Sequence, residues 1–207
     1  MTTVRSEIIQ WTAIGLLLGL AACSEAPRTA EKAPEKPPEP VGGQYALHQM
    51  YTVARSWAPD IQVLQLRSNP MQEVEASPGK AAAWQGTFVS QSRNQARYYT
   101  YSVVEGEGNL HKGTFAGPEQ SWSGPRPTQT PFLMAAVKVD SPAAYDTALK
   151  RSAEYVKKNP DTPINFLLEG GEFPNPAWRV IWGTSVGTSN YSVFVDASLG
   201  SYLRTMR

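Results

Sequence analysis

The pattern of apolar and polar positions divides the chain into an apolar run near the start, a polar proline-rich stretch, and two similar successions of helix and strands. Residues 11–22 carry no charge and are mostly apolar, in a run shorter than the roughly 20 residues a membrane-spanning helix needs. Residues 24–43 hold no aromatic residue and mix Pro with Glu, Lys and Arg, a composition that cannot bury a core and reads as a linker. From Gln44 to Ala58, the residues Leu47, Met50, Tyr51, Ala54, Trp57 and Ala58 recur at helical spacing, and Pro59 stops the pattern. Strands are predicted over 61–66, 83–91, 97–104 and 110–115, where aromatic and β-branched residues concentrate. Residues 68–80 and 117–131 read as loops.

The succession then starts again. Residues 132–139 are a strand candidate, and Ser141-Pro142 reads as an N-cap followed by the first helical position. Ala144, Tyr145, Ala148, Leu149, Ser152, Tyr155 and Val156 line one helix face up to Asn159-Pro160. Strands follow over 164–168, 178–184, 190–196 and 202–206, with Trp178, Val180 and Trp182 on one side of theirs. Three short identities link the halves: Pro59-Asp60 with Pro160-Asp161, Ala83-Trp84 with Ala177-Trp178, and Tyr101-Ser102-Val103 with Tyr191-Ser192-Val193. The expected fold class is α+β, helix packed on antiparallel sheet, built as two tandem units of a helix plus three or four strands. The first unit would span 44–116 and the second 132–207, joined by 117–131, in one sheet or two.

Composition narrows the function classes. The chain has 207 residues, 41% of them hydrophobic, which argues against wholesale disorder. A formal net charge of +1 argues against a dedicated nucleic-acid binder. One Cys and two His leave no disulfide framework and no zinc cluster, so neither a metal nor a cofactor is expected.

The start of the chain reads as an export signal, with Arg5 before the apolar run and Glu7 weakening its basic flank. The run closes on Leu20-Ala21-Ala22-Cys23, which resembles the lipobox of bacterial lipoproteins. The resemblance implies a signal peptide over 1–22, cleavage between Ala22 and Cys23, and lipidation of the only Cys in the chain. Residues 23–43 would then be a lipidated Cys and a spacer, and the membrane a partner through Cys23. With two or more acyl chains such a tether is stable. Ser24 after the Cys implies the outer membrane, facing the periplasm, where the organism has one.

A second resemblance lies in the last strands. Trp178-Arg179-Val180, followed by Val193-Phe194-Val195-Asp196-Ala197-Ser198-Leu199-Gly200, is similar to the closing hairpin of PepSY-type domains. It implies a helix on a small antiparallel sheet and a role as a regulatory or inhibitory partner of peptidases. The first half matches less well, because Glu105-Gly106 stands where the pattern has Asp-Ala.

Few residues offer chemistry. Gly183-Thr184-Ser185-Val186-Gly187 has the letters of a nucleophile elbow, but a strand pattern follows it where the elbow needs a helix, and both His48 and His111 precede it. His48 has no ligand partner at helical spacing, and His111 is a lone His in a predicted hairpin arm beside Lys112. Glu169 and Glu172 flank Gly170-Gly171 in what reads as a mobile loop. Trp57, Trp84, Trp178 and Trp182 fall on apolar faces and read as core, whereas Trp122 and Arg126 share a Pro/Gly loop and are the candidate partner-binding residues. The expected function is therefore non-catalytic: a lipid-anchored envelope protein that binds or regulates an unidentified envelope protein or peptide, with a peptidase among the candidates. The alternatives are an envelope hydrolase using Ser185 or Glu169 and Glu172, and a structural envelope lipoprotein.

Overall fold

The computed structural model describes residues 37–71, 73–75, 77–108 and 110–207, so the signal-like run and the Ala22–Cys23 junction lie outside the described residues. A short strand β1 (Val41–Gly42) leads into helix α1 (Gly43–Ala54), which begins where the linker was expected to end. Strands β2 (Gln62–Asn69), β3 (Lys80–Ala81), β4 (Ala83–Ser90), β5 (Gln95–Ser102) and β6 (Gly113–Ser121) follow. Helix α2 (Ser141–Lys158) then precedes β7 (Ile164–Glu169), β8 (Ala177–Trp182), β9 (Tyr191–Asp196) and β10 (Tyr202–Met206). Eight strands form one antiparallel sheet in the order β10-β9-β8-β7-β2-β4-β5-β6, while β1 pairs with β3. Each half is thus a helix followed by four sheet strands, and the halves join where β2 meets β7.

Both helices pack on the same face of this sheet. Trp84, Phe88, Tyr99, Phe166, Trp178, Trp182 and Val193 meet Leu47 and Met50 of α1 and Ala144 and Ala148 of α2 in one core. Small residues on α2 let it lie close to the aromatic floor. Trp84 and Trp178 touch edge to face, their centroids 6.2 Å apart. Their indoles perform equivalent tasks: Trp84 Nε1 donates to the Val41 carbonyl just before α1, and Trp178 Nε1 donates to the Val139 carbonyl just before α2. The Ala-Trp identity in the sequence therefore marks corresponding positions. The Tyr-Ser-Val identity does not. Tyr101 stands opposite Trp84, whereas Tyr191 stands opposite Trp182, and Val195 is the residue opposite Trp178.

The two helices start at one point. Asp140, rather than Ser141, caps α2, and its Oδ1 accepts from the amides of both Ser141 and Gln44, each at 2.7 Å. One carboxylate thereby satisfies orphan donors of both helices. The Ser141 hydroxyl, expected as the cap, instead accepts from Gly43 N at 2.7 Å and donates to the Gly79 carbonyl at 2.6 Å. Gly42 and Gly43 make room for this. A Cβ on Gly42 would lie 2.1 Å from Asp140 Oδ2, and one on Gly43 would lie 2.5 Å from the Trp178 ring.

Several expected elements differ. Helix α1 stops at Ala54, and Trp57 N bonds the Ala54 carbonyl in a tighter turn, because Pro59 keeps Ala58 out of helical conformation. Residues 132–139 are not a strand: the slot beside β2 beyond the end of β7 admits only Phe132, in a single bridge to Val63, and a 3-10 turn over Met134–Ala136 follows. Strand β6 runs to Ser121, into the segment read as loop, because Pro118 sits on an edge strand where its missing donor costs little. Gly117 provides the flat bed for the Tyr98 ring, whose atoms a Cβ there would approach to 2.1 Å.

Asp140→Ala should lower stability by about 2–3 kcal/mol, since two charge-assisted caps are lost together, while Asp140→Asn keeps much of it. Chemical denaturation of the two variants checks this, and equal midpoints for Asp140→Ala and the unmodified protein would rule out the shared cap.

Candidate functional site

Among the described residues no helix lies on the second face of the sheet, and one register row crosses all eight strands on it. The row reads Phe115, Thr100, Gln85, Arg67, Leu167, Arg179, Phe194 and Arg204, from β6 to β10. At about 4.8 Å between strands it spans on the order of 34 Å. Near its middle Arg67 donates to Gln85 Oε1 at 2.7 Å.

Alternation in β8 and β9 puts Trp178, Val180, Tyr191 and Val193 toward the helices and Arg179, Ile181, Ser192 and Phe194 toward this face. Although no described helix covers them, Arg179 is only 9% exposed and Phe194 1%. Arg179 Nε donates to Ser192 Oγ at 3.0 Å, and its guanidinium lies 5.2 Å from the Phe194 centroid. A bulge at Leu203 sends Tyr202 to the helix face and Arg204 to this one, although the two are separated by a single residue. Arg204 sits 4.8 Å over Phe194 and 5.6 Å over Phe173, and pairs with Glu172 at 2.6 Å.

Glu169, expected in a loop, is the last residue of β7, paired with Gln65 and Ala177, and the loop after it, which carries Glu172, is held and not mobile as expected from Gly170-Gly171. Phe173 packs on Phe194 at 5.5 Å, and Thr130 N donates to the Gly170 carbonyl at 2.9 Å. Gly171 adopts φ +113, and a Cβ there would press within 2.9 Å of the Gln129 and Thr130 amides. Burial pushes the Glu169 carboxyl above its ordinary range, Arg179 pulls it down, and Glu172 pushes it up. Burial likewise lowers the Arg179 guanidinium, against the pull of Glu169 and Glu172. The arrangement offers a charged, walled corner suited to recognition by hydrogen bonds and ring contacts.

The sequence candidates distribute around this face. Arg126 is exposed on a turn closed by reciprocal backbone bonds with Gln129, and the backbone of that turn abuts Gly170-Gly171. Trp122 packs on Leu64, Val89 and Ala96 of the same face, and its amide bonds Asn94. Ser185 lies in the loop between β8 and β9, with a second strand after it. Its hydroxyl engages Thr188 Oγ1 at 2.9 Å. With Arg67, Asn69, Asn165 and Ile181 it lines a cleft of about 360 Å³. His48 lines a groove on α1, and His111 pairs with Glu105 beside Phe115, so neither meets Ser185. Asp196 of the hairpin pattern shapes its turn, accepting from the Ser198 and Leu199 amides at 2.7 and 2.9 Å. The ring and arginine stack of Phe173, Phe194 and Arg204 was missed in the sequence, since only the β9–β10 register reveals it.

Among the described residues no group of three His, Cys, Asp or Glu could hold a metal ion. No described helix is long and apolar enough to cross a membrane. No protein-family model matches the chain, and no curated protein matches it. A solved structure from Clostridium difficile 630, a putative lipoprotein, is similar over 83% of this chain and 95% of its own, at 8% identity and a TM-score of 0.45.

Carboxyl NMR should find Glu169 titrating above the ordinary glutamate value of 4.5. Glu172→Gln should move that pKa down and Arg179→Met should move it up. A Glu169 resonance that ignores both substitutions would show that the three groups do not share an environment.

Proposed function

We propose that this protein is exported, tethered to the membrane by lipid on Cys23, and binds an envelope protein or peptide on the uncovered face of its sheet without catalysing a reaction. Its two α+β halves are, in this reading, PepSY-like units, and the partner is an envelope protein or peptide, with a peptidase the candidate that such modules suggest. The observation that carries the binding reading is the eight-strand row from Phe115 to Arg204, in which arginines and aromatic rings, the residue types that dominate interface hot spots, share one face. Support for the tether comes from Leu20-Ala21-Ala22-Cys23, which places the single Cys at the lipobox position. Ser185, engaged with Thr188, and Glu172, paired with Arg204, are poorly placed to act as a nucleophile or a free general base.

The face is tested by capture. Immobilised protein should retain one partner from detergent-solubilised envelope, and Arg67→Glu, Arg126→Ala or Arg204→Ala should each weaken that retention by about tenfold, with unchanged melting for the Arg67 and Arg126 variants and a lower melting temperature for Arg204→Ala, which also loses the Glu172 pair and the Phe173 and Phe194 contacts. Trp122→Ala also opens the Leu64–Val89–Ala96 cluster, so its effect reads stability as well as contact. Retention unaffected by all three arginine variants removes the face from the proposal, and turnover of an ester or glycan abolished by Ser185→Ala or Glu172→Gln would replace binding with hydrolysis.

The tether is tested separately. Cys23→Ala should accumulate as an unlipidated precursor. Continued cleavage before residue 23 in that variant would exclude the lipoprotein route.

A further inference from the structure

On the helix side of the sheet, the last turns of α2 and the ends of β9 and β10 enclose a groove of about 470 Å³. Its lining is unlike the rest of a chain whose net charge is only +1. Lys150, Arg151, Lys158 and Arg207 bring four cations against the single carboxylate of Glu154. Lys150, Glu154 and Lys158 recur every fourth residue along α2, and Arg151 lies beside this stripe. Among the described residues none of these five side chains forms an ion pair. The floor is rigid and aromatic. Tyr155 and Tyr191 stack with centroids 4.1 Å apart and planes 12° from parallel. The Tyr191 hydroxyl donates to the Arg151 carbonyl at 3.2 Å, and the Arg151 guanidinium rests 4.7 Å over Tyr202. Lys157 and Lys158 also occupy the last turn of α2, where the helix dipole favours cations.

Helix-end electrostatics explain Lys157 and Lys158. They do not explain Lys150 and Arg151, which lie two turns earlier and face the same groove. Cations that line one concave surface without a carboxylate partner among the described residues, Arg151 and Arg207 resting over Tyr202 and Tyr191, make a positive patch that attracts an anion. We propose that this groove binds a phosphate-bearing anion, with Lys150, Arg151 and Lys158 contacting the phosphoryl oxygens and the Tyr155–Tyr191 stack packing against the group esterified to it. The phosphate can come from an anionic lipid headgroup or from a free phosphate or phosphate ester. The proposal is independent of the tether at Cys23.

The test uses the chain from residue 24 onward, so that neither an acyl chain nor the apolar run of residues 11–22 contributes to membrane binding. Its binding is measured to vesicles of phosphatidylcholine alone, to vesicles of phosphatidylcholine with phosphatidylglycerol, and to inorganic phosphate by calorimetry and NMR. With a lipid source, the mixed vesicles should be preferred at low salt, and Lys150→Ala/Arg151→Ala/Lys158→Ala should weaken that binding on the order of a hundredfold, because each basic residue near an anionic surface adds several-fold. Lys80→Ala/Lys112→Ala, which removes charge elsewhere, should bind like the parent. With a free source, inorganic phosphate should shift the Tyr155 and Tyr191 resonances in the parent and not in the triple variant, while the vesicles do not discriminate. The substituted positions are exposed on a helix where Ala is well tolerated, and the melting temperature verifies the fold. Equal binding by the parent and the triple variant in both arms, or an equal loss in the Lys80/Lys112 control, overturns the proposal.

Discussion

The meeting of two helix N-termini on a single carboxylate constrains everything else in this molecule. Asp140 Oδ1 accepts amide protons from Gln44 of α1 and Ser141 of α2. Two positive helix ends would repel at such close range, and the carboxylate between them supplies the compensating charge. The neighbouring indole bonds show why the position is special. Trp84 holds Val41 and Trp178 holds Val139, so Gly42-Gly43 in one half corresponds to Asp140-Ser141 in the other. Corresponding residues meet face to face here, and side chains on both sides would collide, as the 2.1 Å approach of a Gly42 Cβ to Asp140 shows. The chain solves this asymmetrically. One half gives up its side chains, and the other uses its own to cap both helices. Gly42 has an ordinary extended backbone, with φ −67, so the demand is for space and not for conformation.

That arrangement explains what could be read from the sequence. The helices and most strands were legible because their periodicities are clean and their apolar stripes face one shared core. The Ala-Trp identity was informative because each Trp anchors the chain just before a helix, a task that ties sequence position to structure. The Tyr-Ser-Val identity misled because three residues on a period-two strand do not fix register, and the ladder sets Tyr101 and Tyr191 against different partners. The end of β6 was hidden by Gly117-Pro118, residues that usually signal a loop and here form an edge bulge. At the site, Glu169, Glu172 and Arg126 were each legible as candidates, but the packing of the Arg126–Gln129 turn on Gly170-Gly171 and the partners of the two carboxylates were not. These depend on contacts such as Thr130 to Gly170 and Arg204 to Glu172, which no local pattern encodes.

An antiparallel sheet with one face on a core and one toward water is common, so an uncovered face does not by itself argue for a partner. The distribution of burial on that face is more informative. Around Gln85 and Arg67 the row is open and polar, whereas toward β9 it sinks into the Arg179 and Phe194 corner, walled by Phe173 and Arg204. A buried guanidinium with solvated neighbours on one side and ring walls on the other is costly to build unless its orientation matters. The orientation here is fixed by Ser192 and by the field of Glu169, so the corner is organised before anything binds.

Strand β9 links this corner to the cationic groove on the other face. Its alternate residues serve opposite sides: Ser192 and Phe194 complete the corner, while Tyr191 forms the groove floor with Tyr155. Strand β10 repeats the division through its bulge, with Tyr202 under Arg151 and Arg204 over Phe194. All six residues of β9 are buried, so the strand cannot tilt to accommodate one face without moving the other. Ligands on the two faces would therefore bear on the same rigid strand. The sign of any coupling between them would follow from whether the strand position preferred by one ligand suits the other, since coupling can only come from differential affinity for two arrangements of the element they share.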